Sequence, residues 1–165
     1  VTIHGGGEDL VFPHHEDEIA QSEGYTGKHF TRHWVHAAMV YCGEHKMSKS
    51  LGNMVFVSDL LLRYSTDALR LHLLSHPYRL PWNHLKNAEV PTADRAAKVT
   101  AAFANATDAS EGDIAEHGQP FLDAMASDLD TPTAIRELEA LGDSDDPAAH
   151  RTGKTLGQQI LGLSF

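Results

Sequence analysis

Cysteine is almost missing from this chain. Of its 165 residues only Cys42 carries a thiol, so no internal disulfide can form and a reducing, cytoplasmic setting is the expected home. Long apolar runs are missing too: none approaches the roughly 20 residues that a membrane-spanning helix needs. The N-terminus has no charged-then-apolar leader, so the expectation is a globular chain with no membrane partner. Positive charge is scarce, with 13 Lys and Arg against 23 Asp and Glu and a net charge of −10. The deficit is local. Between Thr107 and His150 twelve acids face one base, Arg136, which leaves residues 1–106 close to neutral. So acidic a stretch repels a phosphate backbone and reads as a solvated helical surface, and no DNA partner is expected. Internal repeats and long low-complexity tracts are absent. The chain opens on Val1 and enters the strand-like run Val1-Thr2-Ile3-His4 at once, which leads us to expect a truncated start.

What is present is concentrated in Glu44-His45-Lys46-Met47-Ser48-Lys49-Ser50-Leu51-Gly52-Asn53. Lys46 and Lys49, with hydroxyls at Ser48 and Ser50 and a glycine at Gly52, can surround a run of phosphates. Donors of this kind best stabilise charge that develops on a leaving group. Any K-x-x-K can also be a solvated surface loop, so the wider sequence has to decide.

Upstream, the order strand, glycine turn, helix is expected: Val1–His4, then Gly5-Gly6-Gly7, then a helix opened by Pro13 in its first turn and ended near Gly24 or Gly27. Glycines at a strand end let a ligand approach the backbone. Asp9 is placed to accept hydrogen bonds from ribose hydroxyls, as acids do after other nucleotide-binding strands. His14 and Glu18, four apart, share a helix face and can reach one metal, although two ligands do not complete a site. The run from His33 to Tyr41 is expected to be one buried strand leading into the lysine loop, with His33 and His36 read as structural. Ser58-Asp59 and Ser65-Thr66-Asp67 read as helix caps, and Trp82 as core packing. Beyond Leu85 the expectation is helices at Thr92–Thr107, Phe121–Leu129, Pro132–Leu141 and His150–Leu161, with a loop at Ser110–Asp113. Their apolar faces suit a small bundle, and helix should exceed strand.

The words K-M-S-K-S-x-G-N, preceded by His4-Gly5-Gly6-Gly7-Glu8-Asp9-Leu10 and Phe12-Pro13-His14-His15-Glu16-Asp17-Glu18-Ile19-Ala20-Gln21, resemble the cysteinyl-tRNA synthetase family of class I aminoacyl-tRNA synthetases. Order and spacing hold from about Val1 to Asn83, and Asp128-Leu129-Asp130-Thr131-Pro132 echoes the family in the tail. The resemblance implies an α/β portion followed by an all-α portion. Residues 1–84 would be the C-terminal half of a Rossmann-like catalytic domain and residues 85–165 a helical bundle. It also implies that a first half bearing an H-I-G-H motif belongs upstream; no such motif occurs here.

As the resemblance has it, ATP or the adenylate is bound by His4, Gly5, Gly6, Gly7, Asp9, Val40, Ser48 and Lys49. Lys46 and Lys49 are the catalytic lysines, Mg2+ accompanies the triphosphate, and His14 and Glu18 ligate Zn2+ together with two cysteines that this chain does not contain. Three functions stay open: cysteine activation with transfer to tRNA; a mycothiol-pathway ligase joining cysteine to an amino sugar; and a truncated, non-catalytic nucleotide-binding fragment. Glu18 favours the first. The run Val55–Leu61 and the acidic tail lean toward the second, and the expected truncated start favours the third.

Overall fold

The computed structural model describes residues 1–84 and 92–165. The chain clusters into two compact units, one holding Val1–Met54 with residues 78–84, the other Val55–Pro77 with residues 92–165.

In the first unit β1 (Ile3–Gly7) pairs in parallel with β2 (His33–Ala37), in register from Ile3 opposite His33 to Gly7 opposite Ala37. A parallel pair needs a crossover, and α1 (Glu16–Thr26) supplies it. This helix starts later than Pro13. Residues 8–15 form a 3-10 turn and then one wide turn, with Phe12 in extended backbone and a cis Phe12–Pro13 bond. Proline at that point therefore shapes the approach to the helix rather than its first turn.

The expected single strand from His33 to Tyr41 is two strands. After Ala37 the backbone N–H of Ala38 goes to the Tyr78 carbonyl (2.8 Å) and that of Met39 to the Glu8 carboxylate (3.3 Å), which takes both out of the first ladder. β3 (Val40–Cys42) then joins a second small sheet, antiparallel to β4 (His45–Lys46) and parallel to β5 (Trp82–Asn83). Both strands are half-buried rather than fully buried, and so is Trp82. The Asn83 side chain clamps the β3–β4 turn, accepting from Gly43 N–H (3.0 Å) and donating to its carbonyl (2.7 Å).

The second unit is helical. α2 (Val57–Leu60) starts one residue before the expected Ser58 cap, from Phe56 and without a side-chain cap. α3 (Thr66–Leu74) is capped as its sequence indicates, Ser65 accepting from Ala68 N–H. α4 (Ala93–Phe103), α5 (Glu111–His117), α6 (Gln119–Ala126), α7 (Thr131–Gly142) and α8 (Pro147–Gln159) follow. The segment expected as a loop at 110–113 opens α5 instead. Ser110 and Asp113 form a reciprocal capping box, worth more to the helix start than Gly112 costs it. Asp130 caps α7 by accepting from Thr133 N–H, so the tail motif Asp128–Pro132 is a helix entry.

The core of this unit gathers Ala68 and Leu71 of α3 with Val99, Phe103, Phe121, Ile135, Leu138 and Leu156, Phe103 and Phe121 being fully buried. That packing is why residues 55–77 side with the helices, although the 84/85 division read from the sequence places them with the nucleotide-binding half. Residues 85–91, where that division puts the start of the bundle, lie outside the described residues. Among the described residues no helix is long and apolar enough to cross a membrane.

Candidate functional site

The lysine loop leaves β4 at Lys46 and turns back at Gly52, whose φ of +63° suits a residue without Cβ and whose N–H reaches the Lys49 carbonyl (3.1 Å). Asn53 holds the loop together. Its side-chain oxygen accepts from Ser48 N–H (2.8 Å) and its amide donates to the Lys46 carbonyl (3.2 Å). Ser48 and Ser50 hydroxyls meet at 3.3 Å, and Met47 N–H reaches back to the Val40 carbonyl (3.0 Å).

Lys46 pairs with Asp9, just past the end of β1. The hydrogen bond from Lys46 holds the Asp9 carboxyl below its usual range, so it is ionised at neutral pH. Both side chains are 44% exposed, and water screens such a pair into a weak one that a polyanion can take apart. The Lys49 side chain is exposed and makes no ion pair among the described residues. At Gly7 a Cβ would stand 2.6 Å from both an Asp9 carboxylate oxygen and the Met39 methyl, so a side chain there would push both of these side-chain ends aside. The structure thus brings Asp9, Lys46 and the end of the glycine run together, with Met39 and Val40 beside them.

A second constellation lies in the same unit. His4 on β1, His15 at the entry to α1 and Glu18 on α1 offer ligand atoms that all lie within 4.8 Å of one another. His4 Nε2 is 3.0 Å from Glu18 Oε2 and His15 Nε2 is 4.0 Å from the same oxygen. The 3.0 Å separation would allow a hydrogen bond, yet the direction does not, and Glu18 Oε2 stays buried without one. His15 Nδ1 meets His36 Nε2 at 2.8 Å. Burial, and then the neighbouring His4, hold the His15 imidazole below its usual pKa. The Trp34 ring lies 5.0 Å from both His4 and His15 and stacks parallel to His36.

Of the residues read from the sequence, Lys46 and Ser48 lie in the loop, Val40 and Asp9 meet it, and Gly7 stands beside Asp9, whereas Gly5 faces the Val35 carbonyl and Gly6 faces Leu10 and His15. His4 Nε2 stands 3.0 Å from Glu18 Oε2. His14 is 62% exposed and stands 3.8 Å from the other Glu18 oxygen, Oε1. His15, His36 and Asn53 were missed as site residues. Asn53 was legible as the last letter of the loop motif, whereas His15 and His36 carry no spacing signal.

A parallel strand pair with a glycine turn at its end, followed by a lysine loop, suits a nucleotide-binding α/β fold, and the comparisons place it among the class I aminoacyl-tRNA synthetase catalytic domains. Residues 1–93 match the family model for the tRNA synthetases class I (C) catalytic domain. The chain belongs to that family. It is 40% identical over 179 aligned positions to a cysteine–tRNA ligase of Dehalococcoides mccartyi, covering 100% of this chain and 39% of that protein. It is 41% identical over 175 positions to the cysteine–tRNA ligase of Methylococcus capsulatus, covering 98% and 38%. The chain therefore spans about two fifths of these curated relatives.

Among solved structures it resembles the ternary LeuRS–tRNA–LeuAMS complex of Agrobacterium radiobacter K84 (TM-score 0.68, 20% identity, 98% of this chain and 25% of that one). It also resembles Mycobacterium tuberculosis methionyl-tRNA synthetase in complex with methionyl-adenylate (TM-score 0.58, 18% identity, 94% and 38%). At such identities the likeness is one of fold.

Proposed function

We propose that this chain is the nucleotide-handling portion of a cytoplasmic cysteine–tRNA ligase, which activates cysteine with ATP and transfers it to tRNA. The observation that carries this reading is the lysine loop braced by Asn53, with Lys46 delivered to Asp9 at the end of the glycine run. The cysteine carboxylate attacks the α-phosphate, the bond to the β,γ-pyrophosphate breaks, and cysteinyl-adenylate forms. In such a step the protein contributes position and charge.

Asp9 exchanges Lys46 for the ribose hydroxyls. The freed Lys46 ammonium, together with Lys49, meets the β- and γ-phosphates, whose charge grows as the bond breaks. Ser48 adds a hydroxyl, Gly5 to Gly7 let the nucleotide lie against backbone, and the peptide groups at Met39 and Val40 face the adenine. Mg2+ shares the triphosphate charge when bound. Zinc fits the donors around Glu18: a buried carboxylate oxygen with no hydrogen bond, ringed by imidazoles, is a cation's partner rather than a free anion's resting place. When bound, that metal supplies a Lewis-acid position for a thiolate, which the hydroxyl of serine fills far less well.

The test is cysteine-dependent ATP–pyrophosphate exchange by the intact, exchange-active enzyme that carries this chain and by its Lys49→Ala variant. The variant slows exchange by about a hundredfold or more, the scale of one lost charge-stabilising donor. Equal rates in the two proteins contradict the role given to the loop.

A further inference from the structure

We propose that Asn83 is a positioning residue for the lysine loop: its carboxamide stands in for the next peptide group of β5 and so sets the hairpin from which Lys46 and Lys49 are presented. This deepens the proposed function and rests on it only for what the two lysines meet.

The ladder leads to this residue. Along an inner strand, alternate residues turn their peptide groups to the same neighbouring strand. On β3, Val40 faces β4, its carbonyl accepting from Met47 N–H (3.0 Å), and Tyr41 faces β5, its carbonyl accepting from His84 N–H (2.8 Å). Gly43, two residues on, faces the β5 side as well, but the pairing of β3 with β5 ends at Tyr41 opposite Asn83. The Asn83 side chain supplies the missing rung. Its Oδ1 accepts from Gly43 N–H (3.0 Å) and its Nδ2 donates to the Gly43 carbonyl (2.7 Å). A carboxamide offers the donor and acceptor of a peptide group, whereas an ionised carboxylate offers acceptors alone.

The hairpin needs that rung. β4 has two residues and meets β3 through two pairs, Tyr41 with Lys46 and Cys42 with His45. Hairpins of two strands are marginal in water even when longer, and the turn passes through Gly43 at φ +71° with no side chain of its own to lock it. Held from Asn83, the turn cannot peel away from β5. Lys46, the last residue of β4 and the first of the loop, then leaves at a fixed register opposite Tyr41.

The register matters because Lys46 has to change partner. In the structure it pairs with Asp9, and on the proposed reading it moves to the phosphates as their charge grows. A hairpin free to swing spreads both lysines over positions that miss the transition state, while the glycine run and Asp9 still receive the nucleotide. The loss therefore falls on kcat rather than on KM. Asn83 grips the turn rather than the lysines, so it acts through β4.

The experiment compares the intact, exchange-active enzyme that carries this chain with its Asn83→Ala and Asn83→Asp variants. Asn83 is exposed, so neither change threatens the fold. Amide hydrogen exchange is the first readout: in Asn83→Ala the Gly43 N–H exchanges faster by about 5- to 30-fold, the worth of two hydrogen bonds, and the amides of β1 and β2 keep the parent's rates. ATP–pyrophosphate exchange is the second. In Asn83→Ala kcat falls by about the same factor and the KM for ATP changes less than about twofold. Asn83→Asp keeps the shape and the acceptor but sets an anionic oxygen against the Gly43 carbonyl, and kcat falls by at least about fivefold.

A parent-like kcat in Asn83→Ala overturns the proposal, and so does a rise in KM that carries the whole loss. A parent-like Asn83→Asp overturns it too, because shape rather than hydrogen bonding would then be what the site requires. The two readings fail separately. The amino acid that drives the parent's exchange decides the proposed function, and the change in kcat of that exchange, whichever amino acid drives it, decides the role of Asn83.

Discussion

Replacing Asn53 by alanine tests whether the lysine loop must be held in shape to act. Asn53 lies one turn beyond the lysines and takes no part in meeting phosphate, but it makes two hydrogen bonds across the loop, to Ser48 N–H at 2.8 Å and to the Lys46 carbonyl at 3.2 Å. A hydrogen bond of this kind is worth about 0.5–1.5 kcal/mol net. The second is the longer and its donor is exposed, so the pair together contributes about 1–2 kcal/mol to the ordered loop. That corresponds to a factor of about 5 to 30 in the population of the braced form.

If the transition state draws on that form, Asn53→Ala lowers kcat of ATP–pyrophosphate exchange by that factor while the KM for ATP changes less than about twofold. Limited trypsin digestion of the same protein should show faster cleavage after Lys46 and Lys49. A variant with unchanged kcat and faster cleavage would refute the reasoning, since the brace would then exist without mattering to the chemistry.

Other perturbations address the second unit. Phe103→Ala removes a fully buried ring from its core and should cost about 3–5 kcal/mol in urea unfolding, the usual range for such a truncation. Ser65→Ala removes the cap on α3 and should cost about 1 kcal/mol, with Ser65→Asp recovering most of it. Arg151 clamps Asp113 with two hydrogen bonds of 2.9 and 3.0 Å and, with the Ser110 backbone N–H next in importance, pushes the Asp113 carboxyl well below its usual range. A carboxyl whose folded pKa is depressed stabilises the fold above its unfolded pKa of about 3.9 and loses that contribution as pH falls below it. Melting temperatures of Arg151→Met should therefore fall relative to the parent at pH 6, with the gap starting to narrow below about pH 4 and closing only as the pH falls through the depressed folded pKa; a gap that stays constant from pH 6 to pH 3 would contradict the assignment.

The sequence carried the parts of this molecule that depend on local chemistry. Gly5-Gly6-Gly7, the Lys46–Asn53 motif, the Ser65 cap and the apolar stripes of α4, α6, α7 and α8 each follow from residue type and spacing. Where the reading went astray, a longer-range contact had decided. The run from His33 to Tyr41 has the composition of one strand, and only the Tyr78 carbonyl and the Glu8 carboxylate, far apart in sequence, divide it. Ser110-Glu111-Gly112-Asp113 looked like a loop because of its glycine, although the Ser and Asp at a spacing of three were a cap in plain view.

The imidazole cluster was the least legible. His14 and Glu18 have helical spacing and drew attention, while His4 and His15 meet Glu18 only because the parallel register of β1 with β2 and the wide turn before α1 fold them inward. No period in the sequence encodes that meeting.

The path of the chain between its two units has a practical corollary. The polypeptide leaves the first unit after Met54, lays α3 into the helical core, and comes back at Tyr78 to add β5 beside β3 before departing for the remaining helices. The two bodies are stitched rather than strung in series. Scissors applied once, at any peptide bond, cannot yield two self-sufficient pieces: a break after Met54 takes β5 from its sheet, and a break after Asn83 strands Ala68 and Leu71 away from Phe103. A gene split for two-plasmid complementation would have to be rejoined by mutual folding, and a hydrolytic nick in the 55–77 excursion would damage both bodies at once.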